Sequence, residues 1–149
     1  FGATSTSQKV QQLNQDLTAI RGAVQQLHVQ AGSYGPTDLT PTDLTNLIES
    51  AGRLPSTLSI DDSTDPVTIF HGLDADGTGT MSATGIGKQF YVSVNGLSED
   101  ACILLTSQAS NWLIIMDTAP TALQTQTDQT VADFQTLCAS STSLHFVSN

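Results

Sequence analysis

Positive charge is scarce in this chain of 149 residues: four basic residues (Lys9, Arg21, Arg53 and Lys88) stand against fourteen acidic ones, for a formal net charge of −10. No basic stripe exists to neutralise a phosphate backbone, which excludes sequence-independent binding of nucleic acid. Long apolar runs are also missing, since none approaches the roughly 20 residues needed to span a bilayer. The chain opens at FGATSTSQ without the apolar core of a secretory signal. Charged residues make up 12% and aromatic residues 5%, while hydrophobic residues reach 38%, enough for a globular core. Ser, Thr, Gln and Asn fill the difference, as in secreted and cell-surface proteins. A domain of this length buries about 70% of the surface its unfolded chain exposes.

Cysteine is limited to Cys102 and Cys138. Neither lies in a CxxC or metal-type spacing, so a single disulfide is expected, with two buried free cysteines as the alternative. The bond would close a loop of about 37 residues and contribute roughly 4 kcal/mol by restricting the unfolded chain. Such bonds persist outside the reducing cytosol.

From Val10 the apolar residues fall at Val10, Leu13, Leu17, Ile20, Val24, Leu27 and Ala31. Spacings alternating between three and four predict a helix of about 25 residues, near 40 Å long, with Gly32 as its stop. The stripe suits either a helix laid on a sheet or a coiled coil, although few flanking charges could set a partner's register. In PTDLTNLIESAGRLP a short helix is expected: Thr40 as N-cap, Pro41 at the first helical position, Asp43 in the first turn, a Leu39–Leu44 staple, and Leu44, Leu47 and Ile48 inward. Gly52 should end it and Pro55 prevent its resumption.

Beyond an exposed turn rich in Asp61, Asp62 and Asp65, the pattern becomes strand-like. VTIF (67–70) is one strand. KQFYVSVNG (88–96) is the clearest, with Phe90, Val92 and Val94 on one face and Tyr91, Ser93 and Asn95 on the other. WLIIM (112–116) reads as a central strand or a buried helical turn, and LHFV (144–147) as a final strand. Turns between strands favour antiparallel pairing. Two further helices are expected, one N-capped by Ser98 and running through Cys102 and Leu105, the other from about Asp128 with Val131, Phe134 and Leu137 inward. TALQTQTDQT (121–130) is a polar surface loop feeding the last helix.

Chemistry is less legible. DADGTGTMSATG (74–85) follows an EF-hand calcium loop through its ninth position, with Asp74, Asp76 and Thr78 at ligand positions, Gly79 at the sharp turn, then Thr80 and Ser82. Gly85 stands where the bidentate Glu belongs, and a strand rather than a helix precedes the loop. The segment is therefore a weak calcium site, serving a secreted calcium-dependent binding module, or a Gly-rich turn whose aspartates face solvent. His28, His71 and His145 are scattered singly. There is no GxSxG elbow, and GTGTMSATGIG lacks the Lys of a P-loop. No catalytic residue is nominated, and no cofactor is implied.

The order of elements, a long initial helix, a Gly-rich loop with a short helix, an antiparallel sheet and two cysteines in the C-terminal half, resembles a type IV pilin. SYGPTDLTPTDLTNLIESAGRLPSTL resembles the loop after the long helix in the type IVb class, in particular the PilS-type thin-pilus pilins. LSEDACILLTSQ and FQTLCASSTSLHF resemble the segments that bound the disulfide-closed D-region there. The resemblance implies an α+β pilin fold over 1–149. About 5–31 would be the C-terminal half of the long pilin helix, 32–66 a loop region with a short helix, 67–97 the sheet, and 98–149 the disulfide-bounded region with the last strand. It also implies a non-enzymatic subunit, major or minor, of a homopolymeric surface filament used for attachment, aggregation or conjugative mating contact. Its partners would be further copies, the inner-membrane assembly machinery, and a host-cell or mating-partner surface. The family's apolar half-helix, its cleavage site and its acidic assembly residue are absent from this sequence, so the resemblance implies an N-terminally truncated soluble domain. Before assembly, the missing segment would anchor the subunit in the inner membrane. Lys9, Arg21, Arg53 and Lys88 are the expected filament contacts, because like-charged subunits need cations opposite carboxylates.

Overall fold

A computed structural model describes residues 2–28, 34, 41–74, 77–140 and 142–149, with the side chains of 2–5 and 28 left aside. The first helix, α1 (Gly2–His28), follows the predicted stripe: Val10, Leu13, Leu17, Ile20 and Val24 are buried and Leu27 is partly buried. These residues pack on a sheet and on a second helix layer, so the stripe serves the chain's own core. Ala31 and Gly32 lie outside the described residues.

The chain then forms β1 (Thr42–Asp43), α2 (Thr45–Ser50), β2 (Ser59–Asp61), β3 (Thr68–Phe70), β4 (Thr80–Ile86) and β5 (Gln89–Val94). It continues through α3 (Glu99–Gln108), β6 (Ile114–Met116), α4 (Val131–Ser140) and β7 (Leu144–Ser148). Among the described residues the seven strands form one antiparallel sheet in the order β2-β3-β4-β5-β7-β6, with β1 beside Thr84 and Gly85 of β4. The fold is α+β, with an N-terminal helix on an antiparallel sheet and a disulfide between Cys102 and Cys138.

One sheet face carries Met81, Ala83, Phe90, Val92, Val94, Leu144, Phe146 and Ile115 into the main core with α1. The opposite face is mixed. Ile86, Tyr91 and Val147 form a small apolar cluster there, with Leu113, Ile114 and Met116 against it, while Ser82, Ser93 and His145 lie in one cross-strand row. Gly85 is needed where it stands, because a Cβ at this position would collide with the backbone carbonyl of Tyr34, whose N–H in turn donates to Gly87 O at 2.6 Å.

Several expectations are corrected. Helix α2 starts later than its capping signals suggest: Leu44 is the N-cap without a side-chain cap bond, because Thr42 and Asp43 pair with β4 and the Leu44 N–H donates to Ala83 O at 2.9 Å. Asp43 instead accepts from the Thr45 N–H at 2.9 Å, and Thr40 and Leu39 lie outside the described residues. This start turns Thr45 inward, where its hydroxyl accepts from the Ala83 N–H, and leaves Leu47 51% exposed rather than buried. The helix end is as expected. Gly52 has φ +69°, its N–H donates to Glu49 O and the Arg53 N–H to Ile48 O, the pattern of a Schellman stop.

WLIIM is neither a central strand nor a helical turn: β6 is a terminal strand of the sheet, beside β7 alone among the strands. Residues 80–86, which the sequence offers as part of a calcium loop or turn, form strand β4. In α4 the expected inward residue Val131 is 59% exposed, and the helix packs on the main core through Phe134, Leu137 and the buried Cys138 instead. That helix begins at Val131, after Thr130, which exchanges capping bonds with Asp133. Ser98 caps α3 as expected, accepting from the Ala101 N–H.

Candidate functional site

The residues singled out in the sequence fall into three places. The first is the joint between α3 and α4, where Cys102 and Cys138 are bonded and buried in the main core. The bond ties together two helices that also pack on the main core. The Leu97 N–H donates to Thr142 O at 2.9 Å and closes the same region at its base.

The second place is the β3–β4 connection. Asp74 caps a tight turn: its Oδ2 accepts from the Thr78 N–H at 2.7 Å and from the Thr78 hydroxyl at 3.1 Å. Asp76 lies outside the described residues. Thr80, Ser82 and Gly85, which occupy the later positions of the EF-hand register, belong to a strand hydrogen-bonded along β5. A calcium loop must curl these positions around one centre, and a strand carries them away from it at over 3 Å per residue. The segment thus fits neither reading whole: a turn capped by Asp74, whose Oδ1 is buried rather than turned to solvent, leads directly into a strand. His71 braces the turn, with Nε2 2.5 Å from Asn95 O and Nδ1 accepting from the Leu73 N–H at 3.1 Å. Its ring lies against Gly79 so closely that any Cβ there would collide with it.

The third place is the set of cations. Arg21 is committed within the chain, donating to Ser110 O at 3.1 Å and Asn111 O at 3.0 Å and lying 4.8 Å over the Trp112 ring. Burial makes its charged form less favourable than in water. Arg53 donates to Gln26 Oε1 at 3.0 Å on the surface. Lys88 is exposed in the turn between β4 and β5, and Lys9 is exposed on α1 beside the Asp74 turn.

The sheet register gives these groups an axis. Lys88 marks one end, and Arg53 shares it, because Gln26 neighbours Gln25, which donates to Asn149 O beyond the end of β7. At the other end lie Glu99 and Asp100 in the first turn of α3, Asp117 just after Met116, and Asp74. Cations Arg53 and Lys88 thus face away from these four carboxylates. Lys9 is the basic group on the acidic end.

Two features were not anticipated. Along one outward strip of α1, Gln8, Gln11, Asn14, Gln15, Thr18, Ala19, Gly22, Gln25 and Gln26 follow the helical period with no charge among them, while the exposed Lys9 lies outside the strip. Asp16 is turned away, accepting at Oδ1 from Thr57 Oγ1 at 2.6 Å and from Gln12 Nε2 at 3.1 Å. A helical Gly costs about 1 kcal/mol relative to Ala, yet a Cβ on Gly22 would meet nothing within 4 Å. Among the described residues no packing need explains it.

The second feature is Ser93, whose Oγ lies 2.7 Å from His145 Nδ1 with the Tyr91 ring edge-on to the imidazole at 5.6 Å. Burial pushes the His145 pKa down, and Asp117 pulls it back up. These are the residue types of a nucleophilic triad, but Ser93 is 6% exposed in the middle of a strand and offers little surface to a reacting group. The pair is a sheet-face hydrogen bond. Sequence separation of 52 residues hid it.

Among the described residues no helix is long and apolar enough to cross a membrane. Compared with protein families, curated proteins and solved structures, the chain has no significant match.

Proposed function

We propose that this chain is the globular domain of a type IVb pilin, a structural, non-catalytic subunit that polymerises through its long helix into an extracellular filament. The observation that carries the reading is an outward strip of α1: nine positions between Gln8 and Gln26 on that strip are uncharged in a chain of net charge −10. Helices of identical subunits can lie against one another only where like charges are kept away, and amide side chains with a small residue at Gly22 meet that condition. The face is polar enough that the isolated domain stays monomeric. Assembly then depends on the apolar segment that the family carries before this helix and that anchors the subunit in the inner membrane.

Arg53 and Lys88 share their end of the sheet with Asp62 and Asp65 of the β2–β3 turn, so stacking end over end would have to bring these two cations of one copy specifically toward Glu99, Asp100 and Asp117 of the next. A host-cell or mating-partner surface would be met by the finished filament. The test has two parts. Antibody to this domain should decorate filaments from the native source in electron micrographs. In the full-length protein, Gln15→Glu and Thr18→Glu, which add charge to the helix face without touching the core, should reduce filament number, as should Arg53→Glu and Lys88→Glu. Undecorated filaments would overturn the pilin reading, and normal assembly by both helix variants would overturn the assigned helix face.

A further inference from the structure

The two ends of the sheet are treated differently. Strand β2 pairs with β3 alone among the described residues, and Ile60 on it is 38% exposed. Strand β6 also ends the strand order, but its outer side is occupied by the segment leading to α4. The Thr127 N–H donates to Leu113 O at 2.9 Å, and Gln126 Nε2 donates to Trp112 O at 3.3 Å. Gln129 reproduces a peptide group: its Oε1 accepts from the Ile115 N–H and its Nε2 donates to Ile115 O, both at 2.9 Å. From within the sheet Gln89 does the same to the segment, donating to Gln124 O and accepting from the Gln124 N–H, both at 2.7 Å.

Side-chain amides thus do the work that a neighbouring strand would do, but with little apolar burial behind them. Thr121, Ala122, Thr125, Gln126, Thr127 and Asp128 are exposed, and Leu123 is 47% exposed. Segments held by exposed hydrogen bonds open at lower free energy than the core. An uncovered edge strand is a template for pairing.

We infer that residues 124–129 are a guard over the β6 edge, and that the strand they keep out is β2 of a second copy. Six strands alternate in direction from β2 to β6, so the two terminal strands run antiparallel to each other. A second copy displaced sideways without rotation therefore presents β2 in the antiparallel sense that continues the ladder. In that pairing Asp61 and Asp117, at the ends of β2 and just beyond β6, fall at opposite ends of the new strand pair. The contact is heterologous and does not close on itself, so an unguarded edge leads to open-ended sheets. Such pairing is distinct from packing through α1 and does not rest on the filament reading.

Amide hydrogen exchange and sedimentation velocity over a concentration series test it on Gln129→Ala, on the nearly isosteric Gln129→Glu, and on Gln89→Ala, which releases the segment from the other side. Exchange at the Ile115 N–H should accelerate by at least about tenfold while Val92 and Phe146 stay protected. The opened variants should self-associate with concentration, and adding Ile60→Lys, a charge on the partner edge, should return them to monomer. Unchanged Ile115 exchange in the folded variants, or monomers at every concentration, would overturn the guard. Oligomers that persist with Ile60→Lys would overturn β2 as the occupant.

Discussion

The two faces of the sheet are held by different physics. On the face toward α1, alternate residues of β4, β5, β7 and β6 enter one continuous apolar core, in which Phe90 and Phe146 are fully buried and Trp112 packs 5.4 Å from Phe146. On the other face, Ile86, Tyr91 and Val147 form a small cluster, and polar positions beside it are held by hydrogen bonds: Ser93 to His145, and Gln89 to the backbone of Gln124. The first face resists change through the volume it fills. The second resists through donors and acceptors that must stay matched.

Substitutions on the two sides should separate these mechanisms. Phe146→Ala should cost about 3–5 kcal/mol, because it removes transfer free energy and leaves a cavity beneath α1. A loss under about 1 kcal/mol in chemical denaturation would mean that the core collapses around the gap. Replacing Cys102 and Cys138 together by Ala should cost roughly 4 kcal/mol on the chain-entropy model, with the slope against denaturant rising as the unfolded chain expands. Equal stability before and after reduction would show that α3 and α4 hold each other without the bond. Ser93→Ala should cost only about 1 kcal/mol, the net worth of one hydrogen bond, with part of the loss due to the His145 nitrogen left without its partner.

The smallest effect is a pH dependence confined to the hydrogen-bonded face. Burial lowers the His145 pKa from its ordinary 6.5, with Asp117 opposing the shift. The unfolded chain then binds this proton more tightly than the folded one. The contribution is complete above about pH 6.5 and is lost as pH falls through that value toward the lower folded pKa. Melting temperature should accordingly fall between pH 7.5 and pH 5.5, and His145→Gln should flatten that part of the profile. A slope unchanged in His145→Gln would assign it to other groups.

The same contrast governs what the sequence reveals. Phe90, Val92 and Val94 alternate with Tyr91 and Ser93 at full amplitude, and the stripe of α1 has an unbroken helical period, so both elements are legible. Strand β4 is not, because its core-facing residues are Met81, Ala83 and Gly85 and its other face is Thr80, Ser82 and Thr84, with Ile86 alone apolar at its end. Small side chains give little hydrophobic contrast, and Gly85 is there for the approach of Tyr34, not for a turn. Capping signals before α2 are overridden by pairing with a strand some 40 residues away. Of the candidate site residues, the disulfide follows from counting cysteines. The engagement of Arg21, the turn around Asp74 and the amide bridges of Gln89 and Gln129 depend on partners that only the tertiary fold supplies.

Trp112 is the single tryptophan of the chain, nearly buried, with the Arg21 guanidinium over one face of its indole. Its fluorescence is therefore an optical report on one contact, the seating of the first helix against the loop after α3. If the helix lifts while the sheet persists, the indole loses a cation and gains water, and its emission should shift to the red before the circular dichroism of the strands changes. A single intrinsic chromophore can thus distinguish undocking of the helix from unfolding of the domain without any added label.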